Sequence, residues 1–211
     1  MALGFGIIYL TLRLGRDIMK YLEDKIINEG IINDDNVLEV SSFLNQRLDI
    51  DLLNKMSNEW YELFKNEGIT KVLTIESAGI ALATAVALKF NVPVVYAKKE
   101  YTTKLPESIY VSKIYSYTLK KSYYAYIKDS FIDENDNVLI IDDVVANGWA
   151  AEGLYDICTQ AGASVAGIGC AIEKTYQQGG KRLRSKGIRV ESLAKIEEID
   201  LEERKVKFCL E

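Results

Sequence analysis

V-L-I-I-D-D-V-V-A-N-G-W-A-A runs from Val138 to Ala151. Its first four residues are apolar without interruption, which predicts a parallel strand buried on both faces. Asp142 and Asp143 follow where such a strand would emerge. A short loop, Val144 to Gly148, then leads into a segment carrying Ala151, Leu154, Cys158 and Ala161 at helical spacing, with Gly162 placed to end it. In an open α/β sheet, ligands bind beyond the carboxyl ends of the strands, and a helix N-terminus offers free N–H groups and a positive dipole end. A small-residue turn lets the backbone wrap a phosphate closely. Adjacent aspartates beside it suit the hydroxyls of a sugar or the waters of a metal ion. The layout points to a ribose-phosphate site; an ordinary β–turn–α unit with solvated acids is the competing account.

The same residues resemble the phosphoribosyl pyrophosphate (PRPP) signature of type I phosphoribosyltransferases: apolar strand, two acids, small-residue loop, helix. The usual loop reads A-T-G-G-T or close to it. Here it is Ala146-Asn147-Gly148-Trp149-Ala150, with Asn in place of Thr and a bulky Trp after the Gly. This variant is similar to the xanthine phosphoribosyltransferase branch.

Composition bounds the answer. At 211 residues a single domain with a sizeable core is expected. A net charge of −5 and a pI near 5.1 argue against a nucleic-acid-binding surface as the main business. The chain has no histidine, which removes Ser-His-Asp and Cys-His catalysis, the H-E-x-x-H zinc site and a histidine general base. Cys158, Cys170 and Cys209 form neither a zinc ligand set nor a disulfide framework and read as buried thiols of a cytoplasmic protein. Gly167-Ile-Gly169 lacks the third glycine of a dinucleotide motif, and Gly180-Lys181 is followed by Arg, which breaks a P-loop.

Ala2 to Leu12 is apolar but too short to span a bilayer, and it lacks the features of a signal peptide. Met19 opens an ordinary amphipathic helix, so residues 1–18 read as an upstream extension and 19–211 as the domain. That helix is expected to end at Gly30. An irregular stretch, Val37 to Asn45, follows, and Asp49 is placed to cap a helix bearing Leu52, Met56, Trp60 and Leu63. Lys71–Ile75, Ile80–Phe90 and Val92–Ala97 read as one βαβ unit. Val138 through to Ile172 reads as a second, and Arg189–Ile199 and Lys205–Leu210 as two further strands. Between the units, Lys98 to Asp136 is a long tyrosine-bearing insertion. It suits a lid over the site, a hairpin covering the sheet edge, or both.

Glu76-Ser77-Ala78-Gly79 closes the first strand and opens a helix, offering a second anion site or simply a capped turn. In type I phosphoribosyltransferases the corresponding turn contacts pyrophosphate, which implies a role for Ser77. Lys98-Lys99 resembles the family's lysine-bearing strand end, and Lys98 is the expected PRPP contact; a solvated pair is equally consistent with the residues. The resemblance further implies that Ala146, Asn147, Gly148, Trp149 and Ala150 hold the 5′-phosphate and that Asp142 and Asp143 are catalytic. It carries the base contacts onto Leu38, Asn45 and Lys174, with Leu38 and Asn45 in a hood formed by residues near 31–48 together with a C-terminal segment. Lys and an Asn amide are donors suited to the oxo acceptors of xanthine.

The expectation is therefore an α/β phosphoribosyltransferase with a central, mainly parallel sheet flanked by helices, a small hood and a flexible lid. The resemblance implies PRPP and xanthine as substrates, Mg²⁺ with PRPP (bridging pyrophosphate and ribose hydroxyls, with Asp142 and Asp143 as its nearest acids), a homodimer, and no membrane or nucleic-acid partner. A guanine or hypoxanthine enzyme and a non-catalytic PRPP-binding regulator are the alternatives.

Overall fold

The computed structural model describes residues 20–33, 37–116 and 120–210. Met19, the 1–18 extension and Tyr117 in the long insertion lie outside them. In chain order the elements are α1 (20–29), β1 (Ile31–Ile32), β2 (Leu38–Glu39), α2 (Ile50–Phe64), β3 (Lys71–Ile75), α3 (Gly79–Phe90), β4 (Val94–Glu100), β5 (Ile109–Ser116) and β6 (Lys121–Lys128). There follow β7 (Asn137–Val145), α4 (Trp149–Gln160), β8 (Ser164–Lys174), α5 (Gly179–Ser185), β9 (Val190–Asp200) and β10 (Lys205–Phe208).

Eight strands form one sheet in the order β10-β9-β8-β7-β3-β4-β6-β5. The central five, β9-β8-β7-β3-β4, are parallel, as their apolar runs require. The insertion resolves into the β5–β6 hairpin, which extends the β4 edge antiparallel. Two expected boundaries move. β4 begins at Val94 because Pro93 has no N–H to donate to a ladder. β7 continues to Val145 because β8 pairs with it as far as Val145↔Glu173. Asp142 and Asp143 therefore lie inside the strand rather than beyond its end.

Each face of the sheet carries its own core. On one, α2 and α3 cover Val72, Leu139, Ile141, Ala171 and Ile172. On the other, α4 and the hairpin cover Leu73, Ala97, Val138, Ile140 and Cys170. α2 starts where expected: the Asp49 carboxylate accepts the Leu52 N–H at 3.1 Å, satisfying one of the helix's open donors. The β1–β2 ribbon and a π-helical turn, Ser41–Asn45, bring Val40, Phe43 and Leu44 into the first core beside Ile172 and Ile196. The Arg204 guanidinium donates to the Ile32 carbonyl, tying this hood to the β9–β10 turn.

Gly167-Ile-Gly169 now has a packing explanation. A Cβ at Gly169 would stand 2.8 Å from both Trp60 Nε1 and Ile141 Cδ1, because the α2 indole lies directly on the strand. Trp60 Nε1 donates to the Glu191 carbonyl at 3.4 Å, which fixes the ring there. Gly169→Ala should therefore overpack the core and cost about 2 kcal/mol. Urea unfolding should show this as a lower midpoint at unchanged slope; an unaltered midpoint would mean that the ring moves aside freely.

Candidate functional site

Adjacent residues of a strand point to opposite faces. Asp142 thus shares the face of Val138 and Ile140 with α4 and the hairpin; beyond it the alternation breaks, since Val144 packs with the α2 core and Val145 with the α4 core. Asp142 is 4% exposed. Burial, reinforced by the neighbouring Asp143 charge and only partly opposed by Lys99, holds its carboxyl well above the usual carboxylate range. Its Oδ1 accepts the Asp143 N–H at 3.0 Å, and Asp143 Oδ1 accepts the Val144 N–H at 2.9 Å, so local backbone donors orient both acids.

The chain then turns sharply from β7 into α4. Gly148 takes φ 73°, a left-handed conformation that glycine reaches without strain. A Cβ there would also come within 2.9 Å of Gly179 Cα, at the start of α5. With no capping side chain at its N-terminus, α4 leaves its first N–H groups directed at the turn. Residues 146–151 and Asp142 line a cavity of about 200 Å³, closed on its other side by Lys99, Tyr101, Tyr115 and Tyr123. Backbone amides at a helix start, facing a buried acid across a small cavity, are suited to an anion carried on a polyhydroxylated group.

Ser77 ends up exposed in the turn between β3 and α3, and β3 lies beside β7 in the sheet. The neighbouring Glu76 accepts the Lys99 N–H at 2.6 Å, joining this turn to the end of β4. The two lysines separate by strand parity. Lys99 falls on the face of Val95 and Ala97 and lines the cavity with Asp142. Lys98 lines a different groove of about 690 Å³ with Lys71, Tyr96, Tyr126 and Phe131.

Lys174 closes β8 and is buried, which lowers the pKa of its amine. Leu38 is half-buried against the core that also contains Ile172, Val144 and Tyr176. Asn45 is exposed at the end of the hood's π-helical turn. Leu38 and the end of β8 thus converge on one apolar cluster.

Beneath the end of β8, Glu173 is 2% exposed and bidentate with Arg184, at 2.7 and 2.8 Å. Ser192 Oγ also donates to it, and Cys170 Sγ donates to Ser192 Oγ at 3.2 Å. The Arg184 and Ser192 hydrogen bonds outweigh burial and hold the Glu173 carboxyl below its ordinary value. Sequence reasoning places the tyrosines in a lid without choosing among them, takes Lys98 from the pair Lys98-Lys99, and passes over the basic positions of α5. Strand parity groups Lys99 with Val95 and Ala97, but which face of β4 meets the cavity is set by the fold. The tyrosines and α5 reach the site only through the folded topology.

Among the described residues, no group of three or more His, Cys, Asp or Glu is arranged to hold a metal ion. No helix among them is long and apolar enough to cross a membrane.

The phosphoribosyl transferase domain family matches residues 39–202. The xanthine phosphoribosyltransferase of Bacillus cereus strain G9842 is 48% identical over 182 residues, covering 86% of this chain and 92% of its own. That of Finegoldia magna is 46% identical over 178 residues, covering 84% and 94%. Among solved structures, the adenine phosphoribosyltransferase of Giardia lamblia bound to 9-deazaadenine superimposes with a TM-score of 0.67 at 24% identity, over 79% of this chain and 92% of that one. The adenine phosphoribosyltransferase of Rhodothermus marinus gives 0.68 at 25% identity, over 85% and 99%.

Proposed function

The chain belongs to the phosphoribosyltransferase family, and on that premise we propose that it transfers the 5-phosphoribosyl group of PRPP to xanthine, forming xanthosine 5′-monophosphate and pyrophosphate in purine salvage. The observation that carries this reading is the Asp142–Ala151 turn: buried acid, left-handed glycine and helix start around one cavity. The near-50% identity to xanthine enzymes sets the base.

In this reading the N–H groups of residues 146–150 hold the 5′-phosphate, and Asp142 and Asp143 take the ribose hydroxyls. Charge developing at the ribose C1 is cationic, so a carboxylate pair held in place before reaction stabilises it. Lys99 and the Ser77 turn meet the pyrophosphate. Lys98 lies on the other strand face, and we assign it no PRPP contact. Tyr101, Tyr115 and Tyr123 wall the cavity and exclude water, which suppresses hydrolysis of PRPP. Holding two reactants in line supplies about 7–11 kcal/mol of barrier lowering, so the reaction needs no histidine.

Mg²⁺ is ordinarily held through one or two carboxylates together with substrate phosphate oxygens. Asp142 and Asp143 fit that donor set, and the ion would neutralise charge on the departing pyrophosphate. Leu38 covers the base and Lys174 donates to its oxo groups, with Asn45 brought in from the hood. The chain works in the cytoplasm as a homodimer.

The test is pyrophosphate release with PRPP and Mg²⁺, run against xanthine, guanine, hypoxanthine and adenine. Xanthine should give the highest kcat/KM. Lys174→Ala should then raise the KM for xanthine about tenfold, the value of one hydrogen bond from a charged donor, with little change in that for PRPP. Preference for another base would remove the roles given to Leu38, Asn45 and Lys174. PRPP binding without release for any base would make the chain a regulator.

A further inference from the structure

The phosphate turn is anchored from behind by α5. Gly179 N–H donates to the Ala146 carbonyl at 3.1 Å, and Arg182 Nη2 donates to the Asn147 carbonyl at 2.6 Å. In a planar trans peptide the C=O and the following N–H point in opposite directions. Drawing both carbonyls toward α5 therefore turns the N–H groups of Asn147 and Gly148 the other way, toward the cavity that these residues line. The approach is close: a Cβ at Gly179 would stand 2.3 Å from the Ala146 oxygen.

Arg182 is itself held on three sides. Its Nε and Nη2 donate to Glu152 Oε2 on the first turn of α4, at 3.1 and 2.7 Å. Lys186 bonds the other oxygen of the same carboxylate. The guanidinium lies over the Trp149 ring, with Cζ 4.0 Å from its centroid. One side chain thus grips the turn's carbonyl, the first turn of the following helix and the indole that departs from the family's usual loop. The arginine's planar fork suits this combined stacking and hydrogen bonding in a way that lysine does not.

We propose that Arg182 is a positioning residue for substrate phosphate, aiming the amides of the 146–148 turn into the cavity by holding the Asn147 carbonyl and the Trp149 ring. This rests on the reading of residues 146–150 as the 5′-phosphate cradle. Pyrophosphate binds elsewhere in that reading, so its affinity is the internal control. Arg182→Met keeps the stem over Trp149 and removes the donors; Arg182→Lys restores the charge.

Both variants should be assayed as the full chain with PRPP and xanthine, alongside Gly148→Ala and with inorganic pyrophosphate as inhibitor. Arg182→Met is expected to raise the KM for PRPP about tenfold, the effect of one hydrogen bond from a charged donor. The kcat, the KM for xanthine and the inhibition constant of pyrophosphate should stay within about twofold, the mark of lost substrate binding rather than of a damaged fold. Arg182→Lys should recover part of the PRPP affinity. An unchanged KM for PRPP in Arg182→Met, with a raised one in Gly148→Ala, would overturn the role of Arg182 and leave the cradle standing. A uniform loss across all constants would overturn it as well. Unchanged KM in both variants would remove the cradle and the positioning role together.

Discussion

Asp142→Asn combined with Asp143→Asn should lower turnover by about two to three orders of magnitude, the scale set by removing electrostatic groups fixed at a developing charge. The fold should survive. Asp142 is buried, and its carboxyl is held well above the usual range by burial and by the Asp143 charge. Because the folded value is raised, the folded protein binds the proton more readily than the unfolded chain. Stability is then greatest below the ordinary carboxylate value and is lost as pH rises through the raised one. An amide of the same shape carries no such penalty. Asp142→Asn should accordingly unfold at a higher temperature than the parent at pH 7 to 8, with the gap closing toward pH 4. Thermal midpoints across pH, together with pyrophosphate-release rates, check both halves. A double variant with nearly full turnover would remove the two acids from the mechanism. A lowered midpoint at neutral pH would mean that the carboxylate contributes to the fold instead of costing it stability.

Arg184→Met is expected to have the largest effect on stability. Glu173 is almost fully enclosed, and Arg184 supplies two of its hydrogen bonds; a Cβ on Gly180 would stand 1.8 Å from its Oε1. Removing one partner of a buried pair typically costs 3–5 kcal/mol. Arg184 is 39% exposed in its side chain, so about 3 kcal/mol, the lower end, is expected here. The pH dependence distinguishes this cause from lost packing. With Arg184 present, the Glu173 carboxyl is held below its ordinary value, so the pair's contribution persists through neutral pH and is lost only as acid reaches that depressed value. Without Arg184, the carboxylate faces burial with Ser192 as its donor, and its value should rise. The variant should then gain more stability than the parent as pH falls from 7 to 5, the gain contributed by Asp142 being common to both. Urea unfolding at both pH values measures the difference, and a deficit that ignores pH would mean that the arginine acts through its stem alone.

Much of this molecule could be read in one dimension. β3 runs from Lys71 to Ile75 as read, and α2 starts at the Asp49 cap, because apolar runs and caps act over a few residues. The acid pair, Gly148 and the helix after it are contiguous, so the order strand, turn, helix was legible, though not the point where the strand ends. The glycines at 167 and 169 were not: a failed ligand motif and a flat seat for the Phe64 and Trp60 rings look alike until α2 is laid on β8. The extent of β7 likewise depended on how far β8 accompanies it.

The sequence by itself determined the class of sheet, the order of its central units and the turn on which a sugar phosphate would sit. Each is written in the spacing of neighbouring residues. The tertiary structure decided which lysine of Lys98-Lys99 meets the cavity, because strand parity matters only once the two faces are known. It also decided that the turn is held by Arg182, 35 residues away from Asn147 in the chain. No local pattern encodes such a pairing: the two meet because α4 and β8 carry the chain out and back, so that α5 lands behind the turn.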